Sequence, residues 1–149
     1  LQTIFNSPIF ILKKELLQIP LFGWYLKKIG SISIKRNKVT KDNLGFFDDI
    51  SEMILNSDRP IIIFPQGTRV LPSEFIPFKK GVGRIYDELK IKCQPVAVNS
   101  GKVWPKSGKL IPHKKITISI LPPVKPGMQA VEFTSFIEKE IYNELGLIN

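Results

Sequence analysis

With 149 residues and a single cysteine, the chain has room for one sizeable core and none for an intrachain disulfide, so we expect one domain over residues 1–149 and a reducing compartment. The formal charge of +9 points to anionic partners and is unevenly placed, since residues 1–41 hold eight bases against Glu15 alone while residues 42–58 hold five acids and no base. No apolar run approaches the ~20 residues that span a bilayer, and the bases are spread over several elements without a nucleic-acid motif, so nucleic acid is excluded from the expected partners.

In chain order, the text opens at Leu1-Gln2-Thr3-Ile4-Phe5, without a methionine, N-cap or turn signal, and we read this as a cut edge. Ile9 to Lys13 has the length of a strand. Leu21 to Ile29 fits a short helix closed by Gly30, and Ser31 to Lys35 alternates with period two as a half-buried strand does. Asp42 to Leu55 carries Leu44, Phe47, Ile50 and Ile54 at helical spacing. Arg59-Pro60 ends that helix, and Ile61-Ile62-Ile63-Phe64 predicts a central strand buried on both faces. After a loop to Lys80, Val82 to Leu89 reads as a helix and Pro95 to Val98 as a buried strand. Ile116 to Ile120 reads as a strand stopped by Pro122-Pro123, and Val131 to Leu145 as a final helix ahead of Gly146. The alternation predicts an α/β fold with a largely parallel central sheet and flanking helices.

Ligands of such sheets gather beyond the carboxyl ends of the strands. The loop there reads Phe64-Pro65-Gln66-Gly67-Thr68-Arg69. Pro65 stops the ladder, Gly67 permits a positive φ, Thr68 supplies a hydroxyl, and Arg69 supplies a fork of donors suited to phosphate or carboxylate. By composition alone, an ordinary turn with a surface arginine stands equally open. The nucleotide phosphate loop does not fit, because it needs a second glycine followed by Lys and Ser or Thr. Cys93 is expected to pack in the core, since a catalytic thiol needs a histidine and the only one, His113, lies twenty residues away among prolines and lysines. Leu16 to Tyr25, apolar and aromatic with flanking lysines, suits an interfacial patch or an acyl-chain groove, with core packing as the plain alternative.

The six loop residues resemble the Phe-Pro-Glu-Gly-Thr-Arg motif of the lysophospholipid and glycerolipid acyltransferases, the family that acylates 1-acylglycerol-3-phosphate. Other blocks fall in the same order. Lys13-Lys14-Glu15-Leu16-Leu17-Gln18-Ile19-Pro20-Leu21-Phe22-Gly23-Trp24 resembles the block that follows the family's catalytic motif, and Gly30-Ser31-Ile32-Ser33-Ile34-Lys35-Arg36 its Gly-x-x-x-Ile-x-Arg strand. Phe78-Lys79-Lys80-Gly81 and Pro95-Val96-Ala97-Val98-Asn99-Ser100-Gly101 match two further blocks, so the resemblance runs from about Lys13 to Trp104.

The resemblance implies an N-terminally truncated fold of the glycerol-3-phosphate acyltransferase kind. It implies transfer of a fatty acyl group from acyl-CoA or acyl carrier protein to the hydroxyl of lysophosphatidate, with no metal or bound redox cofactor. The expected setting is the cytoplasmic face of the bacterial inner membrane, reached peripherally or through an upstream anchor. For residues, it implies Arg69 as the grip on the acceptor's phosphate, Arg36 and Lys13 near the same phosphate, Lys79 (or its neighbour Lys80) completing the cluster, and Gln66, Gly67 and Thr68 shaping the loop. Surface charge is the alternative for Lys13 and Arg36, and a salt bridge that fixes the loop is the alternative for Arg69. Asn99 and Ser100 either touch ligand or cap a turn.

Two departures stand out. The family's His-x-x-x-x-Asp motif belongs upstream of Lys13, yet no histidine precedes His113. That histidine is the family's general base, so the chain as it stands is expected to bind without catalysing; a lipid-phosphate-binding or scaffold protein that has lost the dyad is the alternative. Gln66 stands where the family usually has Glu, which keeps a hydrogen-bonding group but removes a carboxylate.

Overall fold

The structure is a computed structural model that describes residues 7–34, 50–52, 56–57, 59–68, 70–71, 74–105 and 107–148. The chain gathers into two units, Leu1–Phe64 and Pro65–Asn149.

In the first unit, β1 (Ile9–Lys13) has a parallel neighbour on each edge. It pairs with β2 (Ile32–Ile34) in the register Ile11↔Ile32, Leu12↔Ser33, Lys13↔Ile34, and with β3 (Ile61–Ile62) through Ile9↔Ile61 and Phe10↔Ile62. Alternation sends Ile9 and Ile11 to one face, where both are buried, and leaves Phe10 and Leu12 half-buried on the other. Fully burying a side chain such as Ile9 contributes about 1.5–3 kcal/mol. The central place expected for Ile61–Phe64 thus belongs to β1. Among the described strands β3 is at the edge, only two residues long and half-buried, and Phe64 beyond it is 54% exposed. The apolar run of β3 measured hydrophobicity, whereas centrality depends on having two strand partners.

Between β1 and β2 the chain makes a 3-10 turn at Lys14–Gln18 and the helix α1 (Phe22–Lys28), followed by Gly30 at φ +73. Only Gly23 and Leu26 of α1 are buried. Of the helix expected over Asp42–Leu55, Ile50–Glu52 lies within the described residues and is helical, with Ile50 fully buried; the remainder lies outside them.

Arg59 ties this unit together. Its Nε donates to the Ser7 carbonyl (2.6 Å) and its Nη2 to the Ile29 carbonyl (2.6 Å), with Pro8 O at 3.5 Å. One guanidinium thereby holds the chain ahead of β1 and the end of α1 beside the start of β3.

In the second unit, α2 (Gly81–Leu89) packs on α3 (Ala130–Ile148), and β4 (Val96–Val98) pairs antiparallel with β5 (Ile118–Ile120). A bridge between Cys93 and Val124 extends the ladder. Phe133 and Ala97 are fully enclosed, and Val82, Ile85, Tyr86, Val124 and Ile137 close the core around them. The helix expected to stop ahead of Gly146 runs through it to Ile148. A glycine inside a helix costs about 1 kcal/mol against alanine, and here a tertiary bond holds the last turn in place: Asn99 Nδ2 donates to Ile148 O at 2.8 Å.

Candidate functional site

Pro65 and Gln66 form a turn, and Gly67 follows at φ +68, a backbone region that glycine enters without the penalty a side chain would meet. The far end of this loop returns to its beginning, for Lys79 N donates to Pro65 O at 2.8 Å. A strap at residues 74–80 therefore lies beside the turn and against α3.

Tyr142 of α3 joins strap and turn. Its hydroxyl donates to Ile76 O (2.8 Å) and accepts from Ile76 N (3.2 Å) and from Gln66 Nε2 (3.1 Å). A phenol carries one proton and two lone pairs, so these three bonds exhaust it. They also fix the Gln66 amide with its nitrogen towards Tyr142. The rings of Phe75 and Phe78 lie tilted on that of Tyr142, at 4.2 and 5.5 Å between centroids. One turn earlier on α3, Glu138 Oε2 accepts from Phe78 N at 2.5 Å. The strap's backbone is thus hydrogen-bonded to α3 at two points, at the half-buried Ile76 and the buried Phe78, where the polar groups need partners.

Of the residues singled out in the sequence, the second unit brings together Gln66, Gly67, Thr68 and Lys79. Gln66 and Gly67 are half-buried, while Thr68 and Lys79 are exposed. Lys13 ends β1 in the first unit. Arg36 and Arg69 lie outside the described residues. Asn99, left open between ligand contact and capping, is 7% exposed and its amide is committed: besides the bond to Ile148 O, Oδ1 accepts from Thr117 N at 2.7 Å. It is a joint between the end of β4, the approach to β5 and the end of α3. His113 is exposed in a turn at φ +61. Cys93 is half-buried, and desolvation pushes its thiol up to about 11, the opposite of what a nucleophile needs.

Tyr142 was not among the residues singled out. It stands nine residues after Phe133, on the opposite side of α3 from the buried Phe133 and Ile137 and on the same face as Glu138, so the helical period gives no signal for it.

The exposed face of the first unit is unusual. Leu21 (84%) and Trp24 (65%) stand in solvent with Ile19, Phe22 and Tyr25 also exposed, and Lys28 Nζ sits 5.0 Å from the Trp24 ring centre. The core-packing alternative therefore fails for these five side chains, while Leu16 and Leu17 of the same segment are half-buried. Among the described residues no helix is long and apolar enough to cross a membrane.

The Acyltransferase family model matches residues 1–99. A 1-acyl-sn-glycerol-3-phosphate acyltransferase of Pseudomonas aeruginosa is 32% identical over 112 residues, covering 72% of this chain and 43% of that protein. One of Helicobacter pylori is 39% identical over 97 residues, covering 64% and 40%. The chain thus spans about two-fifths of the length of these relatives. Among solved structures, the 1-acyl-sn-glycerophosphate (LPA) acyltransferase PlsC from Thermotoga maritima superposes with a TM-score of 0.74 over 95% of this chain and 57% of that one, at 21% identity, a likeness of fold.

Proposed function

This chain belongs to the acyltransferase family, and from that premise we propose that it forms the acceptor-binding part of a 1-acylglycerol-3-phosphate O-acyltransferase. The reaction is attack of the acceptor's free hydroxyl on an acyl thioester of CoA or acyl carrier protein. A C–O bond forms, the C–S bond breaks, and the thiol leaves with the proton. In this reading Arg69 and Lys79 hold the acceptor's phosphate, by charge and, for the arginine, by bidentate donation, and Lys13 and Arg36 are further bases for an anionic ligand. Gln66 faces the glycerol hydroxyls, Thr68 shapes the loop, and Gly67 lets the backbone come close.

The observation that carries the proposal is the anchored turn: the Phe64-Pro65-Gln66-Gly67-Thr68 text adopts a positive-φ turn closed by Lys79 N on Pro65 O and tied by Gln66 to Tyr142. A turn built only to reverse the chain needs no such support from a helix 76 residues later. The chain holds one histidine, His113, without an aspartate five positions on, so the base that takes the hydroxyl proton would have to come from outside these 149 residues. Contact with the cytoplasmic surface of a bacterial inner membrane is part of the proposal. It is supported by the Leu21, Trp24 and Lys28 face, since tryptophan and lysine suit the headgroup level.

Isothermal titration of this chain with lysophosphatidate and with uncharged monoacylglycerol tests the reading. We expect lysophosphatidate to bind at least about tenfold more tightly, Arg69→Ala to remove most of that preference, about 1.5–3 kcal/mol for hydrogen bonds to a charged group, and no turnover of acyl-CoA. Equal affinity for the two lipids would overturn the acceptor assignment, and turnover by the chain alone would overturn the assignment of the base. Selective binding that persists without turnover when a segment bearing the His-x-x-x-x-Asp motif is supplied ahead of Leu1 favours the scaffold alternative.

A further inference from the structure

We propose that Tyr142 is a positioning residue for the Gln66 turn and that its hydroxyl makes position 66 selective for an amide over a carboxylate. This rests on the acceptor-site reading only in taking the turn as part of that site; the lock itself is read from the partners of Tyr142.

The hydroxyl proton of Tyr142 is committed to Ile76 O at 2.8 Å, and its lone pairs to Ile76 N at 3.2 Å and Gln66 Nε2 at 3.1 Å. The two bonds to Ile76 grip the donor and the acceptor of one residue, so the hydroxyl cannot turn away without leaving a half-buried carbonyl unpaired. What it offers position 66 is therefore a lone pair. Glutamine meets that with an N–H. An ionised glutamate has the same size but only acceptor oxygens, and would face the phenol lone pair to lone pair. A protonated glutamate, with its O–H, fits again. The departure from the family's glutamate at this position thereby acquires a partner: Gln66 answers a hydroxyl whose one proton is already spent on the strap. The ring of Tyr142 does a separate job, packing with Phe75 and Phe78, so Tyr142→Phe removes the lock and keeps the packing.

The experiment follows thermal melting of the 149-residue chain from about pH 4 to pH 8, the range in which a carboxyl raised above its ordinary value titrates, for the wild type, Gln66→Glu, Tyr142→Phe and the double variant. The other charged side chains of the elements packed here, Glu138 and Lys139 on α3 and Glu74, Lys79 and Lys80 on the strap, are present in all four and cancel in the cycle. The carboxyl introduced by Gln66→Glu should have a folded-state pKa above the ordinary value of about 4.3. The stability of this variant should therefore approach wild type below about pH 4.3 and fall as the pH rises through the folded-state value. In the double variant that dependence should at least halve. If Gln66→Glu instead loses stability as the pH falls, the hydroxyl has turned to donate to the carboxylate and the proposal is wrong. It is equally wrong if the dependence is absent or survives Tyr142→Phe unchanged.

Binding supplies the second readout. Tyr142→Phe and Gln66→Ala should each weaken lysophosphatidate binding by about tenfold, the scale of one such hydrogen bond, and the double variant should be little worse than either. Unchanged affinity in Tyr142→Phe overturns the positioning role. A wild-type chain that does not bind lysophosphatidate refutes the acceptor-site reading and the positioning role with it, while the melts still decide the amide selectivity separately.

Discussion

Gly83 of α2 lies so close to Ala130, the first residue of α3, that a β-carbon placed on it would fall 2.0 Å from the Ala130 carbonyl oxygen and 2.2 Å from Thr134 Oγ1. The obstacle is backbone, which cannot step aside as a flexible side chain does. The α2–α3 contact of the second unit is therefore set by a missing side chain.

Gly83→Ala should destabilise the chain by about 3 kcal/mol, the upper range for overpacking, seen as a lower urea midpoint with an unchanged slope. Gly146→Ala provides the contrast, because nothing lies within 4 Å of its β-carbon position and the backbone is helical. That change should stabilise by about 0.5–1 kcal/mol. Equal effects at the two glycines would mean that helical propensity, not interhelical distance, governs Gly83.

Arg59 should be the most sensitive charged residue of the first unit. Arg59→Ala removes donors from the Ser7 and Ile29 carbonyls and should cost about 2–4 kcal/mol. Arg59→Lys should recover less than half of this, since one ammonium cannot reproduce a planar fork reaching two carbonyls. Urea titration of the two variants decides the point, and full recovery by lysine would reduce the role of Arg59 to charge.

Cys93 should resist thiol reagents in the native state. Its thiol is raised from 9.0 to about 11 by burial, so at pH 8 it presents roughly a hundredfold less thiolate than an ordinary cysteine. The raised value means that the folded state holds the proton more tightly. The associated stability is thus complete below about pH 9 and is lost as the pH climbs towards 11. Rapid labelling by a disulfide reagent at about pH 8 without denaturant would contradict this burial.

The Leu21 and Trp24 face should set membrane affinity. With vesicles containing anionic lipid, Leu21→Asp and Trp24→Ala should each lower partitioning several-fold, and raising the salt should lower it further by screening Lys27 and Lys28. Sedimentation with vesicles measures it. Partitioning that ignores both substitutions would place the contact elsewhere on the molecule.

Most of the local structure was legible in the sequence because it is written at short range. The runs Ile9 to Lys13 and Pro95 to Val98, the period of Val82 to Leu89 and the alternation of Ile116 to Ile120 each reflect a side chain's relation to neighbours two to four positions away. The family was legible for a similar reason, since its blocks are contiguous words such as Phe64-Pro65-Gln66-Gly67-Thr68-Arg69. Gly67 was legible as a residue that permits a positive φ, and its φ is +68.

What the tertiary structure alone decided are relations between distant positions. Nothing near Ile61 says that β1 takes the place between two strands, because hydrogen-bond partners of a parallel strand are supplied by segments far along the chain. Nothing near Gly146 says that Asn99 will hold the helix beyond it. Arg59 looked like punctuation before Pro60, and Tyr142 lies off the stripe of α3 that Phe133 and Ile137 bury, where no periodicity points to it. A side chain's type states which bonds it is able to make, but only the fold brings up the atom that accepts them, and for Tyr142 those atoms belong to Gln66 and Ile76.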